Sequence, residues 1–181
     1  RFAEERFCDP SSDIYRQHPL DHIEALEACV GKAVENMPPE HVQSIAALTI
    51  DTTGSTPGPV DADGTPLALL EEHKNDPDAM FVLWKDHSAV EEAEELTQRL
   101  RNDFDQDYLR FNGNHYSPEW FWAKILRITR ANRRVASAAS TWLEHSDWLP
   151  ATLTGVRNAR SVIRNRCGAG HKALWQRAFG G

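Results

Sequence analysis

The chain lacks the features that would place it in several large functional classes. It has only three cysteines, Cys8, Cys29 and Cys167, far apart and without a CxxC pair. That argues against a disulfide scaffold or a thiolate zinc site and suits a reducing cytoplasm. Its eight histidines show no HExxH or HxH spacing, so His87, His115 and His171 read as structural or surface groups rather than metal ligands. No apolar run approaches membrane-spanning length, and the charged start RFAEERF is not followed by the apolar stretch of a secretory signal. Arg1 is not an initiator methionine, so a trimmed start or a fragment is expected. The net charge is −7, whereas general binders of nucleic acid or anionic membrane carry a basic excess; neither partner is expected. There is no Gly-Lys-Ser/Thr phosphate loop, no GxGxxG and no GxSxG.

What is present describes a globular domain: 40% hydrophobic and 26% charged residues over 181 positions support one real core. Acidic residues crowd Glu91–Glu95. Arg157, Arg160, Arg164 and Arg166 cluster near the end, either as a solvated edge or as a face for an anion or a neighbouring domain.

Periodicity outlines the elements. Arg1 to His18 shows no period and reads as irregular. Leu20, Ile23, Leu26, Val30, Val34 and Met37 recur at helical steps, with Pro19 suited to the first turn and Pro38-Pro39 as the stop. Ser44–Asp51 (SIAALTID) reads as a buried strand ending on a carboxylate. Thr53–Pro59 (TGSTPGP) reads as a loop, and Val60–Thr65 as a hairpin turned by Asp63-Gly64. Met80–Trp84 is a second buried-strand candidate. Ser88-Ala89-Val90-Glu91 has the capping-box pattern for a helix to about Arg101. Ser117-Pro118-Glu119 opens a helix from Trp120 to Arg130 that is apolar nearly all round. Trp120 and Trp122 cannot share one helix face, so at least one belongs to the core. Thr141–Glu144 is a candidate strand, and Ser146-Asp147 a cap for a helix reaching Gly155. The alternation points to α/β, with no internal repeat and no second domain.

Three segments carry possible chemistry, each with a plain alternative. The prolines of TGSTPGP remove donors that a phosphate cradle needs. The segment is either a simple turn or a rigid loop offering main chain and small hydroxyls to a neutral polar ligand, with Gly58 allowing close approach. Trp84-Lys85-Asp86 follows a strand. An indole covering a sugar's C–H face beside a carboxylate accepting from hydroxyls is one reading; a core tryptophan and a helix-initiating aspartate is the other. Lys172, in GAGHKALW, is either a donor to a substrate oxygen or a surface lysine.

The strings HPLDHIEALEA (His18–Ala28), IDTTGSTPGPVDADGTPLAL (Ile50–Leu69), NDPDAMFVLWKDHSAVEEAEE (Asn75–Glu95), YSPEWFWAKIL (Tyr116–Leu126), SDWLPATLTG (Ser146–Gly155) and RCGAGHKALW (Arg166–Trp175) together make the chain resemble the FGGY family of carbohydrate kinases, on the branch that phosphorylates ribulose. The resemblance implies a partial ribonuclease-H-like domain of the actin and hexokinase type, with a mixed sheet flanked by helices. Residues 1–181 would be a single partial N-terminal, sugar-binding domain, missing its initial phosphate hairpin and the C-terminal domain. It implies transfer of the γ-phosphoryl of ATP, with Mg2+, to the 5-hydroxyl of L-ribulose or a related pentulose. Another pentulose or polyol kinase, or a non-catalytic sugar-binding module, are the alternatives. On this resemblance Gly58, Lys172, Trp84 and Asp86 are the substrate-binding residues. Gly58 stands where alanine is expected in close relatives. No catalytic base and no metal ligand falls within the chain, and the fragment alone is expected to bind no ATP and to be inactive. A homo-oligomer is possible, because a sheet stripped of neighbouring strands leaves a bare edge or apolar patch that recruits partners.

Overall fold

A computed structural model of the chain describes residues 1–171 and 175–180. Among the described residues five strands and seven α-helices are interspersed, a mixed α/β arrangement. The strands are β1 (Cys8–Asp9), β2 (Ile14–Gln17), β3 (Pro57–Val60), β4 (Phe81–Val82) and β5 (Thr141–Glu144). The helices are α1 (Pro19–Val34), α2 (Pro39–Gln43), α3 (Val90–Asn102), α4 (Phe121–Ala131), α5 (Arg133–Ala138), α6 (His145–Leu153) and α7 (Arg166–His171). The described strands form two small antiparallel sheets, β1-β2-β4 and β3-β5.

The register of β3 follows from its prolines. Pro57 lies opposite Glu144 and Val60 opposite Thr141. The carbonyls of Thr56 and Val60 accept from the amides of His145 and Ser140, at 3.0 and 2.8 Å. Residues of that parity face β5, so Pro57 and Pro59 turn their missing N–H groups to the other edge, where no ladder bond is lost. The turn after β3 forms as the Asp63-Gly64 pair dictates: Gly64 has φ +85°, and the Asp61 carboxylate accepts from the amides of Asp63 and Thr65 at 2.9 Å each.

Packing joins the two sheets. Val60, Phe81, Leu143, Trp148 and Leu149 form one apolar cluster; Leu67, Met80, Val82, Ile128 and Val135 form a second. A third, between α3 and α4, contains Ala89, Ala93, Tyr116 and Ala123. β3 and β5 therefore supply side chains to the first cluster while α4 reaches the second and third.

Several local expectations change. Residues before His18 are not irregular throughout, because β2 pairs with β4, placing Arg16 opposite Val82. Ser44–Asp51 is not a buried strand. Ile45 and Leu48 are 53% and 55% exposed, and among the described residues no strand takes up the segment's backbone groups, without which a strand does not form. Helix α1 forms with Pro19 in its first turn and the His18 ring accepting from the Leu20 amide at 3.2 Å. Yet its apolar stripe is only partly covered: Leu20 and Val30 are exposed, while Ile23 and Leu26 pack on the first cluster. The capping box at Ser88 does not form. The Ser88 hydroxyl donates instead to Asp86 at 2.6 Å, and α3 starts without a side-chain cap. Helix α4 is not apolar all round, since it carries Lys124 on its buried side and leaves Trp122 exposed. Helix α6 starts at His145, ahead of Ser146-Asp147, and the Asp147 carboxylate accepts from the Asn165 amide at 2.9 Å.

Candidate functional site

The loop before β3 and the loop after β4 meet over α4. Ser55 and Thr56, at the end of the first loop, are buried. The Glu144 carboxylate, at the end of β5, accepts from the Thr56 amide at 2.7 Å and from the Ser55 hydroxyl. Lys124 rises between the loops, 1% exposed. Its ammonium donates to the carbonyls of Ser55 at 2.9 Å, Leu83 at 2.7 Å and Trp84 at 3.5 Å. Burial pulls the Lys124 amine down to about 7, against the opposing pull of Asp86 and Glu144.

Asp86 is fully buried. One carboxylate oxygen accepts from the Tyr15 amide at 2.7 Å and pairs with the Arg16 guanidinium; the other takes the Ser88 hydroxyl. Arg16 is itself 1% exposed and reaches Asp78 at 3.5 Å. The loop after β4 is thus pinned from beneath by a charged pair, and Asp86 is committed to protein partners. Trp84 stands above it, 46% exposed. The Lys85 ammonium sits 4.1 Å from the Tyr15 ring centre, and the His87 ring meets Glu119 at 2.7 Å.

Gly58 is buried in β3, and a Cβ placed on it would lie 2.7 Å from the Phe81 ring. The close approach that its lack of a side chain allows is made here by Phe81. Lys172 lies outside the described residues. Trp84 and Asp86 share one loop, and Gly58 follows the adjoining loop, which Lys124 and Glu144 hold.

Beside this arrangement, between α4, β5 and α7, is a cavity of about 290 Å3. Trp122, Trp142, Glu144, Asp147, Arg164 and Asn165 are among its walls, and Gly168 and Ala169 close one side. Flat indole faces beside carboxylates and a guanidinium suit a small ligand with apolar C–H faces and several hydroxyls. Glu144 belongs both to the cavity wall and to the anchor of the loop before β3. Among the described residues no group of three or more His, Cys, Asp or Glu could hold a metal ion, and no helix is long and apolar enough to cross a membrane.

Reading the sequence did not single out Lys124, Glu144 or Arg16. A signal for Lys124 was available: Phe121, Lys124, Ile125 and Ile128 follow the i, i+3, i+4, i+7 pattern of one helix face. A lysine within an apolar stripe must find acceptors.

No family model matches the chain. It is 39% identical over all 181 of its residues to the ribulokinase of Vibrio parahaemolyticus, of which it covers 32%. It is 34% identical over 164 residues, 91% of the chain, to the ribulokinases of Bacillus licheniformis and Shouchella clausii, covering 28% of each. The chain spans 28–32% of the length of these curated relatives.

Proposed function

We infer that this chain is a segment of a ribulokinase, and that the parent protein transfers the γ-phosphoryl of ATP to the 5-hydroxyl of L-ribulose in L-arabinose catabolism. The observation that carries this reading is similarity to ribulokinases along 91–100% of the chain, rather than at one motif. The segment is the sugar-binding part of a cytoplasmic enzyme, a single partial N-terminal domain. ATP and Mg2+ are held mainly by parts of the parent outside it. On its own it is inactive and binds no nucleotide.

In this reading Trp84 covers the apolar face of the pentulose, Lys172 donates to a sugar hydroxyl, and the main chain near Gly58 closes the pocket. Asp86 acts from below, holding the loop that carries Trp84, since its carboxylate already serves Tyr15, Arg16 and Ser88. Trp122 and Trp142 line the adjoining cavity, where Glu144 and Asp147 already hold the loop before β3 and the Asn165 amide. The contacts to the sugar contribute by orienting it toward the nucleotide, which is most of what phosphoryl transfer asks of a protein.

Steady-state kinetics of the complete gene product with L-ribulose, other pentuloses and polyols tests the activity. L-Ribulose is expected to give the highest kcat/KM; a clear preference for another polyol would reassign the substrate. In the same protein Lys172→Ala is expected to lower kcat/KM for ribulose by roughly ten- to a hundred-fold, the loss of a charge-assisted bond worth ~1.5–3 kcal/mol. An unchanged value would remove Lys172 from the sugar site.

A further inference from the structure

Lys124 occupies a position where the helical pattern calls for a leucine. Its neighbours on the stripe, Phe121, Ile125 and Ile128, are buried, and Lys124 is buried among them. A lysine there loses the hydration of its ammonium, which is costly unless acceptors replace the water. Three main-chain carbonyls do so, and they come from the two loops already described: Ser55 from the loop before β3, Leu83 and Trp84 from the loop after β4. An ammonium has three protons, so both loops are held by one group.

The partners differ in kind from those of the other buried charges. Arg16 is paired with carboxylates on either side of β4, Asp78 before it and Asp86 after it. Glu144 holds Ser55 and Thr56 by their hydroxyl and amide. Lys124 alone of the three reaches both loops. The residues that follow its acceptors are those assigned to the sugar: Thr56 to Gly58 on one side, Trp84 itself on the other. Deleting the ammonium leaves α4 its stem methylenes but removes the link between the loops.

We propose that Lys124 is the positioning residue of the sugar site, a single buried ammonium that fixes the loop bearing Trp84 against the loop leading to Gly58. The sugar part of this proposal rests on the function inferred above; the mechanical link does not. Lys124 touches no substrate. It fixes the spacing of the two loops beside the cavity, and under the function inferred above that spacing decides how tightly a pentulose is gripped before phosphoryl transfer.

The test compares the complete gene product with Lys124→Met, which keeps the stem and drops the ammonium, and with Lys124→Gln, which keeps a shorter donor. Hydrogen exchange is read in peptides covering residues 53–58 and 83–88, with α3 as the internal control. Exchange in both loop peptides is expected to rise about ten-fold or more in Lys124→Met and less in Lys124→Gln, with α3 unchanged, as for local opening around a lost charge-assisted bond. KM for L-ribulose is expected to rise about ten-fold while KM for ATP stays within about two-fold, the signature of lost sugar binding. Unchanged exchange in the two loops overturns the proposal. So does a uniform rise across the chain with unchanged kinetic constants, which would make Lys124 a plain stability element. Should Lys124→Met not fold, Lys124→Gln decides by the same readings. A wild-type protein that leaves ribulose unphosphorylated overturns the inferred function instead, and the exchange comparison still decides the link between the loops.

Discussion

Acid weakens this fold through two histidines. His22 on α1 and His145 at the start of α6 have ring centres 3.9 Å apart, and each meets the Phe81 ring at 5.5 Å. The Nε2 atoms of both are buried without a hydrogen-bond partner. Burial, with the neighbouring charge of His145, pushes His22 from 6.5 down to about 3; burial takes His145 down to about 4 against the opposing pull of Glu144. Well above pH 6.5 both rings are neutral, folded or unfolded, and contribute nothing to the pH dependence. Below it the unfolded chain takes up two protons that the folded chain refuses. Stability therefore falls with pH, approaching about 2.7 kcal/mol per pH unit for two groups, until the folded rings protonate near pH 4 to 3. From pH 7 to pH 5 the loss is about 3.5 kcal/mol, a large part of a domain's usual 5–15 kcal/mol. For a chain of this size the melting temperature should drop by roughly 7–14 °C. Circular-dichroism melts at pH 7, 6 and 5 measure it, with His22→Leu/His145→Leu as the comparison. The double variant should lose most of the slope. An acid slope as steep in the variant as in the wild type, or a ring titrating near 6.5 by NMR, would refute the reasoning.

Other consequences are smaller or more local. Gly58→Ala drives a methyl into the Phe81 ring and should cost about 1–3 kcal/mol of stability by overpacking; adding Phe81→Leu should recover part of it in chemical denaturation. Arg16→Met strands the Asp86 carboxylate in the core and should cost about 3–5 kcal/mol. Arg16→Met/Asp86→Leu should then be more stable than Arg16→Met alone, and a double variant no better than the single would show that the pair is not coupled.

The elements that could be read from the sequence are those whose burial repeats along the chain. Helix α4 and strand β5 stand where period and composition place them, because Phe121, Ile125, Ile128 and Leu143 meet the core directly. Ser44–Asp51 has the right composition for a strand, but a strand depends on a neighbour, and nothing local supplies one. At Ser88 a local pattern lost to a tertiary one: the Asp86 carboxylate, held in place by Arg16, took the hydroxyl that would have capped α3. Of the candidate site, Trp84 and Asp86 were visible as a pair, but not their division into an exposed ring and a buried anchor. That division is set by Arg16 and Tyr15, which lie in a segment with no period to mark it.

The register of β3 against β5 also dictates when the site can exist during synthesis. Thr56 and Val60 offer their carbonyls to His145 and Ser140, which the ribosome makes much later. Until Thr141–Glu144 has emerged, the loop before β3 has neither a ladder partner nor the Glu144 carboxylate that anchors it. Among the described residues Val60 finds an early bridge to Pro66, but Ser55 to Pro59 have no ladder partner made before β5, so they wait through the making of α3 and α4. Pairings this distant close late, at a loop-entropy cost that shorter contacts escape. The two prolines of β3 have a second use in that interval. They deny two amide donors to any foreign strand that meets the waiting segment, protecting it from premature pairing until its own partner arrives.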